Sequence, residues 1–368
     1  MSAAGPESGA CPPVCAADVE RLAAARVPAE VWDFVAGGSG DESVQAANRA
    51  ALDRVRLLPR ILSGTGEADL SGPLLGSTAA MPAVVAPMAY QRLLHPDGEL
   101  AAARAAAKAQ VPYTICTLSS FPLEDIAAIG GTTWFQLYWS RDRGQVLDLV
   151  RRAEGAGCEA LVVTVDVPVM GRRLRDMRNG FALPRSVTAA NFGAEPLTAT
   201  HTRQAGASAV ATHTGLAFDP ALGWGDLAWL RENTTLPLVL KGVLDPRDAA
   251  RAAELGAAAV VVSNHGGRQF AGAVASITAL PSVVDAVAGR CEVLLDSGIR
   301  SGTDVLRALA CGADGVMYGR PVLWGLAADG EAGAGLVLDL LRTELQEALL
   351  LSGCPDLAAA RGLAAVLG

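Results

Sequence analysis

The chain is 368 residues long, 51% hydrophobic and only 18% charged, with a net charge of −8, so it can bury a large core and offers no basic patch to nucleic acid. It has no apolar run of the about 20 residues needed to span a bilayer and no charged-then-apolar leader, so neither a membrane anchor nor a secretory signal is expected. Seven scattered cysteines (Cys11, Cys15, Cys116, Cys158, Cys291, Cys311, Cys354) read as reduced thiols of a cytoplasmic protein, which argues against a disulfide framework or a metal site.

Residues 1–14 are small and Pro-rich and read as a frayed tail. Helical periodicity covers 16–25. Pro28 opens a second helix through Val31, Trp32 and Phe34, which Gly37-Gly38 stops, and a third helix runs over 42–52. These three precede the first strongly apolar strand and read as a cap on a barrel end. Apolar strand-like runs then recur at 83–86, 113–117, 133–138, 160–165, 236–240, 258–262, 292–295 and 315–318. Helical stretches at 99–108, 145–156, 246–255, 277–287 and 302–310 lie between them. Strands alternating with helices in this number predict a closed parallel (β/α)8 TIM barrel, with a doubly wound sheet as the alternative. The barrel core is expected over about 80–325, within one domain spanning 1–368. Residues 184–229 break the rhythm and read as a long Thr/Ala/Gly-rich lid or binding loop after strand four. Amphipathic helices, one over 336–351, close the chain.

In such a barrel the C-terminal strand ends face one site. Read in order they are Pro87-Met88-Ala89, Ser119-Ser120, Gln136 with Tyr138, Thr164 with Asp166, Lys241, Ser263 with His265, Asp296, and Gly319-Arg320. Nearly all are polar or charged. The two loops Asp296-Ser297-Gly298-Ile299-Arg300 and Gly319-Arg320-Pro321 follow strands seven and eight, and each pairs small residues with an arginine, as a phosphate site requires. Of four histidines, His201 and His213 fall in the long loop and read as solvated, and His95 precedes the turn Pro96-Asp97-Gly98. His265 is left as the general base, with Arg268 nearby to grip a carboxylate. Asp166 reads as its orienting carboxylate, or equally as a helix cap or a partner of Arg172 or Arg173. Lys241 suits a Schiff base, as in an aldolase, or a counter-charge to a cofactor ring.

Together these stretches resemble the FMN-dependent α-hydroxy acid oxidase/dehydrogenase family, from about Val31 to Cys354. The motifs are Ser263-Asn264-His265-Gly266-Gly267-Arg268-Gln269, Leu240-Lys241-Gly242, Phe135-Gln136-Leu137-Tyr138, Thr164-Val165-Asp166, and the run from Asp296 to Val305. The resemblance implies FMN across the barrel mouth. Its phosphate would sit on Asp296, Ser297, Gly298, Arg300, Gly319 and Arg320, and its ring and ribityl chain among Pro87, Met88, Ala89, Ser119, Gln136, Thr164 and Ser263. Lys241 would face the N1/O2 edge, and His265, Asp166 and Tyr138 would serve catalysis. Arg173, Arg268 and Tyr138 would hold a carboxylate. Within the family, Ala89-Tyr90-Gln91-Arg92, 113–120 and 170–184 are most similar to the branch that oxidises 4-hydroxymandelate on the way to hydroxyphenylglycine in peptide-antibiotic producers.

Three positions depart from the wider family: Phe34 stands where a tyrosine is usual, Phe121 where a tryptophan is usual, and Ser297 where glycine is common. With Met170, the two phenylalanines fit a ring-bearing substrate. The implied reaction is oxidation of (S)-4-hydroxymandelate or mandelate to the 2-oxo acid, with oxygen reduced to hydrogen peroxide, in a cytoplasmic homotetramer. The rivals are a glycolate/lactate-type oxidase, a lysine aldolase built on Lys241, and a non-catalytic flavin- or phosphate-binding barrel.

Overall fold

The computed structural model describes residues 12–192, 198–203 and 205–367. Most of the expected frayed tail lies outside that range. Three helices come first: α1 (Ala16–Arg26), α2 (Ala29–Ala36) and α3 (Ser43–Arg54). The strands β1 (Ala83–Val85), β2 (Tyr113–Cys116), β3 (Thr133–Leu137), β4 (Ala160–Thr164), β5 (Leu238–Val243), β6 (Ala259–Val262), β7 (Glu292–Leu295) and β8 (Gly315–Tyr318) then close into a barrel, each hydrogen-bonded to its sequence neighbours and β8 to β1. All these pairs are parallel. The expected (β/α)8 barrel is therefore present, and a doubly wound sheet is not.

The strands are apolar on both faces because both are covered. Val84, Trp134, Val162, Val239, Val261, Leu294 and Met317 fill the barrel interior. Their neighbours, among them Val85, Ile115, Phe135, Leu161, Val260 and Leu295, pack outward into the helical layer. That layer includes α4 (Gly98–Ala109), α5 (Leu123–Ala127), α6 (Arg143–Gly155), α7 (Leu174–Asn179), α8 (Ala209–Ala217), α9 (Trp224–Glu232), α10 (Pro246–Glu254), α11 (Ser276–Val287), α12 (Gly302–Ala310) and the kinked α13 (Arg320–Ser352). A tight hairpin, Gly72–Leu74 with Ser77–Ala79, inserts Leu74 and Ala79 into the interior cluster and plugs one end of the barrel.

Two expectations are corrected. The stretch 184–229 is not one structureless loop. It carries a 3-10 turn (Thr198–His201), α8, and the start of α9, the helix between β4 and β5. α8 is hard to read from sequence because AVATHTGLA has almost no amphipathic contrast and packs small and polar residues inward. For the same reason His213 is not solvated. It is 2% exposed, neither ring nitrogen has a partner, and burial holds its pKa below the usual histidine range. The plug hairpin and the antiparallel pair Val55–Leu57 with Ala365–Leu367 are also illegible in the sequence, because three residues are too few for alternation to register.

Candidate active site

A cavity opens at the C-terminal strand ends, where a barrel of this kind places its ligands. Of the expected site residues, Phe34, Pro87, Met88, Ala89, Tyr138, Arg173, Lys241, His265, Arg268, Asp296, Ser297, Gly298, Arg300, Gly319 and Arg320 line it. Ser119, Gln136, Thr164, Asp166 and Ser263 stand behind that wall, and Phe121 and Met170 do not line the cavity either. Phe121 instead lies under the Arg92 guanidinium, 5.3 Å from its ring centroid, and the Met170 sulfur is 4.0 Å from the Thr214 hydroxyl of α8.

Lys241 leaves β5 into a polar floor. Its Nζ is 2.9 Å from Asp296 Oδ2 and donates to Ser263 Oγ at 3.1 Å. Burial opposes the ammonium charge, but Asp296 and Asp166 outweigh it and hold the pKa above the usual lysine range. A Schiff-base lysine must be readily deprotonated, so this environment is wrong for an aldolase. Asp296 was expected among the phosphate contacts, but its carboxylate faces the ammonium instead. Beside it, Gln136 Nε2 donates to Thr164 Oγ1 at 3.0 Å, and the Cys116 thiol donates to Gln136 Oε1 at 3.2 Å. Burial pushes that thiol up to about 12, so it stays neutral.

His265 follows β6 on the turn Asn264-His265-Gly266. Its Nδ1 lies 3.1 and 3.2 Å from the two Asp166 oxygens, which fixes Nδ1–H and leaves Nε2 as the acceptor. Asp166 reaches it because of Gly242, whose φ is +110° and whose Cβ would sit 2.5 Å from that of Asp166. A β-bulge between Lys241 and Val243 places this glycine. Burial lowers the His265 pKa; Asp166 raises it, and Lys241 and Arg173 lower it further, so the net shift is down and the imidazole is a neutral base.

Four half-buried arginines face the cavity: Arg173, Arg268, Arg300 and Arg320. None has a carboxylate within ion-pair distance among the described residues. Burial depresses the pKa of each; Arg173 and Arg320 add to it for Arg268, and Arg300 and Arg173 add to it for Arg320, which falls to about 9. These shifts express uncompensated positive charge. Part of it is met by the C-terminal carbonyls of α2. Arg268 donates to the carbonyls of Phe34, Val35 and Gly37 at 2.8, 3.2 and 2.7 Å, and Arg320 to those of Val35, Gly37 and Gly266. Arg173 and Arg268 also stand 5.7 and 5.5 Å from the Phe34 ring centroid, so the aromatic face holds two cations where a tyrosine hydroxyl was expected to be missed. Phe181 stacks on that ring, with centroids 4.6 Å apart.

Ser297 resolves the departure in the phosphate loop. Its φ is +72°, a region that favours glycine, yet its hydroxyl accepts from Asn264 N and Gly266 N at 3.2 and 2.9 Å and donates to Asp296 at 2.6 Å. These bonds tie the loop after β7 to the histidine loop.

Residues 23–364 match the family described as FMN-dependent dehydrogenase. The chain belongs to that family. This FMN-dependent dehydrogenase is 58% identical over 355 residues to 4-hydroxymandelate oxidase of Amycolatopsis orientalis, covering 96% of this chain and 99% of that protein. It is 47% identical to L-lactate oxidase of a Nostoc species (94% of this chain, 96% of that one) and 44% identical to glycolate oxidase 3 of Arabidopsis thaliana (92% of both). Its fold superposes on a crystal structure of mandelate oxidase with (S)-4-hydroxymandelic acid at a TM-score of 0.95, with 57% identity and coverage of 97% and 99% of the two chains.

FMN is the cofactor of the family, and the cavity suits it. Two unneutralised arginines next to the small-residue turns at Gly298 and Gly319 suit a phosphate dianion. The buried ammonium and amide of the floor suit the heteroatom edge of a flavin. Sequence reasoning missed Tyr90, Leu118 and Val210 in the wall, and Asp176, a buried carboxylate whose charge acts on Arg173 and Arg268. Tyr90 and Leu118 directly adjoin strand-end residues already singled out, so they were within reach; Val210 sits on the unrecognised α8.

Two outcomes are expected from these environments. With the neutral form of His265 acting as the base, its depressed pKa sets the acid limb. Activity in kcat/KM should therefore persist into acid and fall only below about pH 6.5. Asp166→Asn removes a neighbour that raises this pKa, so the acid limb should move lower still while the rate drops by about a hundredfold or more; a limb centred above the ordinary histidine value would contradict this environment. Lys241→Met should lower the flavin reduction potential and weaken the flavin–sulfite adduct, and unchanged sulfite affinity would place the ammonium away from the ring.

Proposed function

We propose that this protein oxidises an aromatic (S)-2-hydroxy acid, 4-hydroxymandelate or mandelate, to the corresponding 2-oxo acid, with oxygen reduced to hydrogen peroxide. The observation that carries the reading is the carboxylate-free pair Arg173 and Arg268 over the face of Phe34, beside His265, whose neutral imidazole is held by Asp166. The likeness to proteins named 4-hydroxymandelate oxidase and mandelate oxidase supports the aromatic substrate. The reading includes a role in hydroxyphenylglycine formation for a peptide antibiotic. Six described cysteines are unpaired, and no helix among the described residues is long and apolar enough to cross a membrane, which supports a cytoplasmic enzyme.

In this reading Arg300, Arg320, Ser297, Gly298 and Gly319 hold the FMN phosphate, and Asp296 the ribityl hydroxyls. Pro87, Met88, Ala89, Ser119, Gln136, Thr164, Ser263 and Lys241 surround the rest. When bound, FMN supplies the two-electron acceptor. Arg173 and Arg268 take the substrate carboxylate, the latter by releasing α2 carbonyls. The Tyr138 hydroxyl joins them; burial raises its pKa well above the usual tyrosine range, so it stays a donor. His265 Nε2 accepts the proton leaving the substrate, and Asp166 stabilises the imidazolium. The charged Lys241 offsets the negative charge that accumulates on the acceptor. Three fixed points around the α-carbon select the (S) enantiomer.

A glycolate- or lactate-type activity is the second reading, favoured by the relatives at 44 and 47% identity. Against it stands the wall itself. Phe34, Leu93, Leu94, Leu118 and Val210 give an apolar lining that a small acid leaves uncovered. Burying a phenyl ring is worth roughly 2 kcal/mol, about thirtyfold. Stopped-flow flavin reduction with 4-hydroxymandelate, mandelate, lactate and glycolate should give the two aromatic acids at least about a tenfold advantage in kcat/KM. Phe34→Tyr should shift the ratio toward the small acids. Equal constants for glycolate and mandelate would remove the aromatic assignment.

A further inference from the structure

The turn after β7 sorts its backbone N–H groups into two sets. Those of Arg300 and Ser301 donate to Asp304 Oδ2 at 2.9 and 3.2 Å, and that of Gly302 donates to Glu344 at 2.9 Å. Neither carboxylate residue lines the cavity. The three preceding N–H groups, of Ser297, Gly298 and Ile299, meet no acceptor among the described residues, and all three residues do line the cavity. Consecutive free N–H groups of this kind form a concavity for an anion. The carbonyl side of the turn is held from behind. Arg49 of α3 donates from Nη1 both to the Gly298 carbonyl and, at 2.6 Å, to Asp304 Oδ2. α3 lies directly against the turn, since a Cβ on Gly298 would sit 2.9 Å from Leu52 and 3.3 Å from Asn48. Asp304 is fully buried, and its other oxygen takes Arg307 at 2.8 Å. Two guanidinium groups outside the cavity therefore match its charge, and the Arg300 side chain stays uncompensated.

We propose that Arg49 is a positioning residue for the cofactor phosphate: it does not line the cavity, but it holds the Gly298 carbonyl back against α3 and so presents the Ile299 N–H to the anion. A planar peptide points its C=O and the following N–H in opposite directions, so fixing one aims the other. The ion pair with Asp304 fixes the guanidinium in turn. This rests on the placement of the FMN phosphate in the reading above. Without Arg49 the Gly298–Ile299 peptide is free to turn over, because glycine, here at φ +113°, tolerates either orientation. A carbonyl oxygen would then face the phosphate where a donor stood. Riboflavin has the same ring and ribityl chain but no phosphate, so the exchange leaves its binding unaffected. Asn48, the preceding residue of α3, braces the histidine turn, so one stretch of α3 sets both loops.

Arg49→Met tests this through flavin binding to the whole protein, stripped and reloaded with FMN or with riboflavin and followed by flavin fluorescence. The dissociation constant for FMN should rise at least about tenfold, the worth of one charge-assisted hydrogen bond, and that for riboflavin by less than about twofold. A purely structural role would weaken both flavins by one common factor. Arg49→Lys keeps the charge beside Asp304 but loses the fork, and it carries the same comparison if the methionine variant does not fold, with a selective loss of FMN of at least about threefold. A common loss of both flavins, or an unchanged constant for FMN, would overturn the proposal. Failure of the phosphate placement is separate: it would show in the wild type as riboflavin held as tightly as FMN, and it would take the proposal with it.

Discussion

The site depends on positive charge that the protein gathers around one cavity, half-buried, without neutralising it. The chain carries a net −8, yet it gathers Arg173, Arg268, Arg300 and Arg320 around one cavity with no carboxylate in ion-pair contact among the described residues. Desolvating an unpaired charge costs several kcal/mol. The carbonyls at the C-terminal end of α2 reduce that cost, as does the face of Phe34, but neither carries a full negative charge. The remainder is available to anions. The arginines form two groups, one by the turns after β7 and β8 and one by Phe34 and Tyr138. In the proposed function one group takes the FMN phosphate and the other the substrate carboxylate, and Lys241 with Asp296 forms a neutral pair between them.

The barrel makes this arrangement possible by supplying stiffness. Most of the site's polar groups leave strands whose register is fixed by their neighbours, as Thr164 is by pairing with Lys241 and Gln136 by pairing with Cys116. Loops are then tied to one another and not to solvent. The Ser297 hydroxyl binds the turn after β7 to the histidine turn, and Asn48 of α3 exchanges two hydrogen bonds with Asn264 at 2.9 and 2.7 Å. The N-terminal helices are thus part of the site. α2 supplies both Phe34 and the carbonyls that hold two arginines, and α3 braces the turn that carries His265.

Much of this is legible in the sequence. The eight strands appear as short β-branched runs because both faces are buried, and six of them start at the residue read from the sequence. Strand-end polar residues flag the cavity because the fold sends every strand the same way. What stays hidden depends on distances across the chain. Asp296 reads as a phosphate residue until Lys241 is seen 2.9 Å away. Phe34 reads as a lost donor until two guanidinium groups are found over its ring. Resemblance puts Phe121 and Met170 in the pocket, but each side chain turns to a neighbour outside it. His213 and Val210 are hidden because α8 has no amphipathic signature, its buried face being as small and polar as its exposed one.

The central claim is that an uncompensated arginine pair is kept for the carboxylate of an aromatic hydroxy acid. The most direct test is an anaerobic titration of the FMN-loaded protein with (S)-4-hydroxymandelate and, separately, with its neutral amide, followed by the flavin absorbance. The acid should bleach the flavin at low concentration. The amide, identical apart from the charge, should need a far higher concentration or fail to bleach it. Equal bleaching by the two, or none by the acid, would contradict the account.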